Sequence, residues 1–450
     1  MRPFRQAFPY STTLELSVPF ATRIRTMVSG YHPTFWVGNG MELFERLAYY
    51  GQATVFSIYL RDHLKFSEQE AGNISSIFGS LIYLLPVFAG TIADKIGFRK
   101  AFSFAFFVLA IGYFLIGSTG IVPLNGAYEG LSLFWVIVPF TILTAIGGSF
   151  IKPSVLGTVA VTTTPVNVSQ GYAIYYALVN AGAFFGPIIA NAVRRSVGIE
   201  FVYLVSATSC AAMLIVNLLF YKEVKIEGPH AVESIGTKLK NMVTVLKNRR
   251  FMAFLLIFSL YWVMFWSGFY VVLPFFITDH ISADANFEWV ISAGALGIFL
   301  LQVPVNTLTK KLSTNRAILV GFLVSTVCFL IFASSHWLWQ IFPKDVSLWF
   351  LGGGIVIWSI GEMIQAPRYY EYIATLAPQG QQAMYQGYAF LPIAIAWMVG
   401  GWFGGQVYTT YAKNTPDPAV VWWIYLAIGL LAAALIWLYN RFLAPRAAAV

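Results

Sequence analysis

The chain is poor in charged residues. Only 10% of its 450 residues are Asp, Glu, Lys or Arg, whereas 58% are hydrophobic and the mean hydropathy is +0.70. Soluble domains carry about a quarter of their residues as charges, so this composition excludes a soluble globular protein of this length. It predicts a polytopic integral membrane protein.

The sequence also has few residues of the types that catalyse reactions or bind metals. Its histidines all lie at the ends of apolar runs or between them: His32, His63, His230, His280 and His336. It contains no Walker loop, CxxC pair or HExxH motif. We therefore expect a protein that is not an enzyme, with no metal site and no cofactor. Cys210 and Cys328 are interpreted as small core residues.

Long apolar runs are what the sequence does have. About twelve are long enough to span a bilayer, at 33–61, 68–93, 99–118, 132–160, 169–193, 200–221, 251–278, 287–309, 316–334, 347–375, 382–407 and 419–442. Because they are continuous and lack two-residue alternation, they are predicted to be helices. We predict an all-α integral membrane protein with 12 transmembrane helices in two pseudo-symmetric six-helix bundles.

Lysine and arginine are concentrated on one side of these spans. With both termini inside, 19 of the 28 fall on the inner side, six on the outer side and three within spans, namely Arg46, Lys152 and Arg368. The positive-inside rule therefore predicts that both termini are cytoplasmic. The net charge of +9 follows from this topology, and we expect no nucleic-acid partner.

The spans divide the chain into five regions. We predict a cytoplasmic amino tail (1–32), an N-terminal six-helix bundle (33–221), a cytoplasmic linker (222–250), a C-terminal six-helix bundle (251–443) and a cytoplasmic tail (444–450). The linker carries seven Lys and Arg residues and apolar residues at near-helical spacing, which predicts a basic amphipathic helix on the inner leaflet. An organelle-targeting role for the tail and a partner-binding role for the linker are the alternatives.

A loop motif recurs in the two halves. Residues 93–101 read ADKIGFRKA and residues 309–317 read TKKLSTNRA, at matching places after the second and eighth spans. Asp94, Gly97 and Arg99 resemble the loop signature of the major facilitator superfamily. Any tight basic inner loop is the alternative explanation.

The first span contains three charged residues. Glu42, Glu45, Arg46 and Tyr49 are spaced so that they share one helical stripe, with Asn39 just before it. Facing lipid, three unpaired charges would cost on the order of 7–10 kcal/mol, so we expect them to point inward. One acid can pair with the arginine while the other takes a proton. A static ion pair that fixes helix packing is the alternative.

The fourth and tenth spans carry opposite charges beside Gly and Pro. The motifs are GGSFIKP (147–153) and GEMIQAP (361–367), which predict interrupted helices around a central transporter cavity. Lys152 and Glu362 can pair to close a gate, separate to hold a zwitterion, or form a permanent bridge. Arg368 can pair locally with Glu371 or form an inner gate.

Three further residues inside spans are candidates for the cavity. Asn180 needs a hydrogen-bond partner, which a solute carboxylate or amide can provide. Gly182 and Gly186, four residues apart in the same span, predict close helix packing. Trp262 and Trp266 can line a cavity, with core packing as the alternative.

Several motifs together resemble the signatures of the proton-dependent oligopeptide transporters, a branch of the major facilitator superfamily. They run from the first span through the tenth: ExxERLxYYG (42–51), YLLPxxAG (83–90), IKP (151–153), YYxxVNxG (175–182) and GExxxxP (361–367).

This resemblance implies alternating access and inward symport of protons with di- and tripeptides. By analogy, Glu42, Glu45 and Arg46 would couple protons, Lys152 would gate, Asn180 would bind peptide and Glu362 would bind its amino terminus. Tyr49, Tyr50 and Tyr83 would line the cavity.

Two departures concern the family's outer gate. An Arg usually follows the Tyr-Tyr-Gly motif, where this chain has Ala53, and the seventh span usually reads Trp-x-x-Phe-Glu-Gln, where it has WVMFWS (262–267). In the family, this Arg pairs with the Glu of the seventh-span motif. Replacing both therefore leaves neither charge without a partner. We expect the bulk of Trp266 to replace the gate, and the clamp for a peptide carboxylate to be missing.

The sequence therefore predicts a monomeric, proton-coupled symporter in the bacterial inner membrane. Its partners are the lipid bilayer and a small solute, either a di- or tripeptide or a related zwitterionic or amine-bearing molecule. One alternative is a proton-coupled antiporter that exports drugs or metabolites. Another is a transporter-like receptor or scaffold that moves nothing.

Overall fold

The computed structural model describes residues 30–164, 167–224, 236, 245–377 and 382–444. Three predictions fall largely outside these residues: the amino tail, the amphipathic linker and the carboxyl tail. The two six-helix bundles are described almost completely.

Helices cover all twelve predicted spans in the described chain. In order they are α1 (Pro33–Ile58), α2 (Glu68–Leu84), α3 (Pro86–Ile96), α4 (Phe98–Ser118), α5 (Leu133–Ser149), α6 (Ile151–Thr162), α7 (Val168–Ser196), α8 (Phe201–Phe220), α9 (Arg249–Ser267), α10 (Leu273–Phe276), α11 (Phe287–Thr309), α12 (Thr314–Ala333), α13 (Ser335–Ile341), α14 (Ser347–Leu376), α15 (Gln382–Gly387), α16 (Leu391–Tyr411) and α17 (Val420–Phe442). Three π-helical turns extend α1, α9 and α10: Tyr59–His63, Gly268–Val272 and Ile277–Ile281.

Most of these helices are suited to a bilayer. Within the described ranges, ten are long and apolar enough to cross a membrane, or eleven when the bent pair α2 and α3 counts as one span. Helix α1 is outside that count and carries the three charges of the first span. Large apolar side chains such as Phe107, Phe299 and Leu308 point outward, as expected for a surface in contact with lipid.

Local sequence explains where several helices begin and break. Ser67 and Glu70 form a capping box that starts α2, in which the Glu70 carboxylate accepts from the Ser67 backbone N–H at 2.9 Å. Pro86 starts α3, which bends by 48° from α2, because proline fits the first turn of a helix and not its interior.

The predicted interruption occurs in only one of the two Gly/Pro motifs. The fourth span breaks at Phe150, between α5 and α6, just before Lys152 and Pro153. The tenth span does not break, and that part of the prediction was wrong: Pro367 lies inside the continuous helix α14. A proline removes one backbone hydrogen bond, and neighbouring turns can continue the helix past it.

The two halves of the chain meet along two seams. Helix α2 packs against α16, and α7 packs against α11. Gly72 and Gly401 face each other in the first seam, where a Cβ on either residue would overlap the carbonyl oxygen of the other. Only glycine permits this approach of the two backbones.

We therefore expect Gly401→Ala to destabilise the protein. The new methyl group would also lie 2.9 Å from the Ser76 backbone nitrogen, and overpacking of this kind costs about 1–3 kcal/mol. The midpoint of thermal unfolding in detergent should fall by several degrees. Gly353→Ala is the matched control, because a Cβ there meets nothing within 4 Å. Equal melting temperatures for the two variants would contradict this packing.

Candidate functional site

Charged and polar residues occur at three depths in the bundle. We call the end that carries Arg61 and Asp279 the outer end, and the end that carries Gly97 and Lys310 the inner end. Arg61 follows Glu45 by about four and a half helical turns, or roughly 24 Å along the axis.

The charged stripe of α1 points inward, as predicted. Glu42 and Glu45 are each 1% exposed and Arg46 is 8% exposed. Arg46 Nε lies 3.2 Å from Glu42 Oε1 and donates to Glu45 Oε2 at 2.5 Å, and its Nη2 also pairs with that oxygen. Neither oxygen of Glu42 accepts a hydrogen bond from any residue that the structure describes. One guanidinium thus holds two carboxylates, and the Glu42 carboxylate is held less closely.

Small residues on α7 allow this stripe to pack against its neighbour. A Cβ on Gly182 would overlap the Arg46 side chain, and a Cβ on Gly186 would lie 2.8 Å from the Leu47 carbonyl oxygen and 3.0 Å from the Gly51 nitrogen. The close packing predicted from the glycine spacing is therefore present. It helps to bury Arg46 against α7.

Lys152 lies near the stripe but is held by aromatic rings. Its ammonium is 4.6 Å from the centre of the Phe390 ring and 5.9 Å from that of Tyr83. It also lies within electrostatic range of Glu42, Glu45 and Arg46. The two acids and two bases together carry no net charge, so one added proton leaves the group with a net positive charge.

Glu362 faces a separate cavity of about 350 Å³. The cavity lies between α7, α11 and α14 and is lined by Tyr176, Ile298, Gln302, Asn306, Glu362, Met363, Ala366, Pro367 and Tyr370. Most of the lining residues lie nearer the inner end of the bundle than Glu362 does. The cavity therefore occupies the inner half of the bundle and lies between the N-terminal and C-terminal halves.

Lys152 and Glu362 are apart in this structure. No ion pair joins them, and Glu362 has neither a hydrogen bond nor an ion pair with any described residue. Asn180 satisfies its amide within its own helix, because Nδ2 donates to the Tyr176 carbonyl oxygen at 2.8 Å. Asn39 does the same with Phe35, also at 2.8 Å, and its Oδ1 is buried without a partner.

Aromatic residues form a layer between the stripe and the outer end. Trp266 stacks on Trp397 with ring centres 4.5 Å apart, and lies 5.9 Å from Tyr83 of the other half. Tyr49 is buried beside Arg46, whose guanidinium lies 5.0 Å from its ring, and its own ring is 5.1 Å from that of Tyr50. The indole nitrogens of Trp262 and Trp266 are buried without partners.

The outer end is closed by a buried arginine that bridges the two halves. Arg61 donates to both oxygens of Asp279 at 2.8 Å and to Thr278 at 3.0 Å, and is itself 8% exposed. The Tyr408 hydroxyl donates to Asp279 at 2.5 Å. This bidentate geometry is the strong form of an arginine–carboxylate contact.

Two further ion pairs join the halves at the same end. Arg194 Nε lies 2.5 Å from Glu288, which also accepts from Asn191 at 2.9 Å, and Lys413 lies 2.6 Å from Glu68. Together with Arg61–Asp279, these contacts are the outer ion pairs. Trp266 does lie between the halves, but it is these charges that close the outer end.

The inner end lacks such closure among the described residues. Arg99 donates to the Leu218 carbonyl oxygen, and Glu223 accepts from the backbone N–H groups of Phe98 and Arg99, all within the N-terminal half. Asp94 is exposed. Arg368 pairs with Glu371 at 2.7 Å in its own helix, which is the local pairing considered from the sequence.

The outer ion pairs were not predicted from the sequence. The positive-inside count places their three bases on the outer side and assigns them no partner: Arg61, Arg194 and Lys413. Each of these bases has a matching acid at the outer end of a span in the other half, and that match is the signal that could have identified the pairs. The acids are Asp279, Glu288 and Glu68. The described part of the bundle is thus closed at the outer end by ion pairs between the halves and has its cavity toward the inner end.

Comparison with known proteins gives a consistent result. The chain is 22% identical to dipeptide and tripeptide permease B of Salmonella typhimurium, over 86% of this chain and 89% of that one. It is 28% identical to dipeptide and tripeptide permease A of Pectobacterium carotovorum over 42% of this chain, a match that spans only 36% of that relative's length.

Solved structures show the same fold. A POT family transporter in complex with 5-aminolevulinic acid superimposes on 91% of this chain with a TM-score of 0.70 and 17% identity. A nucleoside transporter gives a TM-score of 0.73 at 14% identity, so fold alone does not select a solute. The model of the Major Facilitator Superfamily matches residues 41–386. The chain belongs to the Major Facilitator Superfamily and is a multi-pass membrane protein that resembles its peptide-transporting branch.

Proposed function

We propose that this protein is a proton-coupled secondary transporter that imports a small solute across the bacterial inner membrane by alternating access. The observation that carries the proposal is the buried group of Glu42, Glu45 and Arg46. Three charges in the interior of a membrane protein are costly and mark an ion or proton pathway. They lie between the outer ion pairs and the cavity that contains Glu362.

The proton acts in this mechanism by weakening the hold of the carboxylates on Arg46. When either acid is protonated, the arginine loses one of its two partners, and the group with Lys152 gains a positive charge. A change of a few kcal/mol is enough to shift the populations of two conformations of similar free energy. Proton entry from outside and release inside would then drive the solute inward.

A di- or tripeptide is the first candidate solute. The named relatives are dipeptide and tripeptide permeases, and an acid in the cavity fits the amino group of such a molecule. Ala53 leaves no base in the position that the family uses for the peptide carboxylate. A related zwitterionic or amine-bearing solute is therefore part of the proposal. We further propose a monomer that needs no cofactor.

Uptake into proteoliposomes tests this function. With the outside one pH unit more acidic than the inside, uptake of labelled dialanine or a related amine should be at least tenfold faster than without a gradient, and a protonophore should abolish the difference. A gradient-independent rate would contradict proton coupling. Binding of the solute with no flux in either direction would instead support a receptor.

Proton-coupled export is the second candidate. The aromatic layer of Trp266, Trp397 and Tyr270, whose rings lie 4.5–6.3 Å apart, fits a flat apolar drug or metabolite. The direction of proton movement separates the two functions. When solute is added outside, a symporter carries protons in with it and acidifies the vesicle interior. An antiporter exchanges the entering solute for protons that leave, so the interior becomes more alkaline.

A further inference from the structure

We propose that the inner cavity binds a cationic amine whose other end is uncharged. In this assignment Glu362 binds the ammonium group, and Gln302 and Asn306 bind the neutral polar end. The inference rests on the proposed transport function and names its substrate class more narrowly: a monocation with an amide or hydroxyl group, rather than a zwitterion.

Gln302 and Asn306 form one polar stripe on α11. They are four residues apart, as are Ile298 and Gln302, so all three lie on the same face of the helix and line the cavity. Glu362 lines the same cavity from the neighbouring helix α14. The cavity of about 350 Å³ is within the size range of small-molecule sites.

The three polar side chains are available to a ligand. Gln302, Asn306 and Glu362 form no hydrogen bond or ion pair with any residue in the described part of the chain. Glu362 and Gln302 are partly buried and Asn306 is exposed, and buried polar groups are usually satisfied by partners. Three polar side chains without protein partners thus line one cavity, where they can bind a ligand.

The charge of the lining selects a cation. Among the described residues that line the cavity, Glu362 is the one charged residue and none is a base. Arg46 is held by both acids of the stripe, and Lys152 lies against the Phe390 ring outside the lining. A solute carboxylate placed here would lie near Glu362 with no base to pair with it.

Other features of the lining fit the same ligand. Tyr176 and Tyr370 come from opposite halves of the chain and flank Glu362, and aromatic rings stabilise ammonium groups. The amides of Gln302 and Asn306 both donate and accept hydrogen bonds, which suits a neutral amide or hydroxyl. Neither of them can neutralise a carboxylate.

Calorimetric titration of the purified full-length protein tests this assignment with three probes. Alanyl-alanine amide carries one positive charge, alanyl-alanine is a zwitterion, and N-acetylalanine amide is neutral. We expect the cationic amide to bind at least tenfold more tightly than the zwitterion, and the neutral probe not to bind. Glu362→Gln should abolish binding of the cation.

The neutral end is tested by variants on α11. Gln302→Leu and Asn306→Leu should each weaken binding of the cationic amide about fivefold or more. Thr307→Val is the matched control, since it neighbours Asn306 but bonds to its own helix at the Val303 carbonyl and lies outside the lining. It should bind as the wild type does.

Each possible result decides the question. Equal or tighter binding of the zwitterion, unchanged binding by both leucine variants, or no binding of any probe would overturn the assignment. Binding is measured on the purified protein without a membrane, so its result does not depend on whether the protein transports the probe. Cation-selective binding without gradient-driven uptake would refute the transport function alone, and gradient-driven uptake that prefers the zwitterion would refute the selectivity alone.

Discussion

Glu45→Gln is expected to abolish uptake driven by a pH gradient while sparing exchange of solute for solute. Glutamine keeps the size of the side chain but cannot take up and release a proton. Arg46 still has Glu42 at 3.2 Å, so the variant should fold. In proteoliposomes, gradient-driven uptake should fall at least a hundredfold, and counterflow of labelled against unlabelled solute should stay within a few-fold of wild type.

The control for this variant is an acid outside the membrane interior. Glu129 is exposed in the connection between α4 and α5, and Glu129→Gln should transport normally. Glu42→Gln shows whether both acids are needed. Full gradient-driven uptake by the Glu45 variant would refute its role in proton coupling, and loss of exchange together with uptake would indicate a defect in conformational change.

Arg61→Ala is expected to open the outer end. The arginine is buried and pairs with Asp279 and Thr278 of the other half, contacts that can exist only when the outer end is closed. Truncating one partner of such a pair costs roughly 2–5 kcal/mol, which favours the outward-open conformation by about 30-fold or more. The carrier should then accumulate facing outward and transport slowly.

Cysteine labelling can measure this opening. The natural residues Cys210 and Cys328 are fully buried, so an introduced Ala53→Cys would be the reporter on the outer half of α1. Its reaction with a membrane-impermeant maleimide should speed up at least tenfold when Arg61 is also replaced. Lys65→Ala is the control, because Lys65 is exposed and has no ion pair among the described residues. Unchanged labelling by Arg61→Ala would show that this contact does not hold the outer end closed.

Much of the fold could be predicted because the bilayer restricts which secondary structures can span it. Continuous apolar runs must be helices, so every predicted span is covered by a helix. The charges at 42, 45 and 46 had to face inward on energetic grounds, and they do. Gly182 and Gly186 marked a close helix contact because only a missing side chain permits one.

Other features depend on contacts that no local pattern encodes. Arg61 and Asp279 are far apart in sequence and meet only when the two halves are closed at one end. Pro367 was expected to break a helix, but its effect depends on packing around it. Lys152 and Glu362 are separated in this structure, which is one of the arrangements considered from the sequence. The two aromatic rings beside Lys152 could not be predicted, because one of them belongs to the other half of the chain.

The Arg61–Asp279 contact requires the two halves of the chain to differ from each other. The two residues end the first spans of the two halves, each on a π-helical turn, so they occupy equivalent positions. If the halves were identical in sequence, two arginines or two aspartates would meet there and repel. The contact in its present form therefore requires asymmetry between the halves at this position.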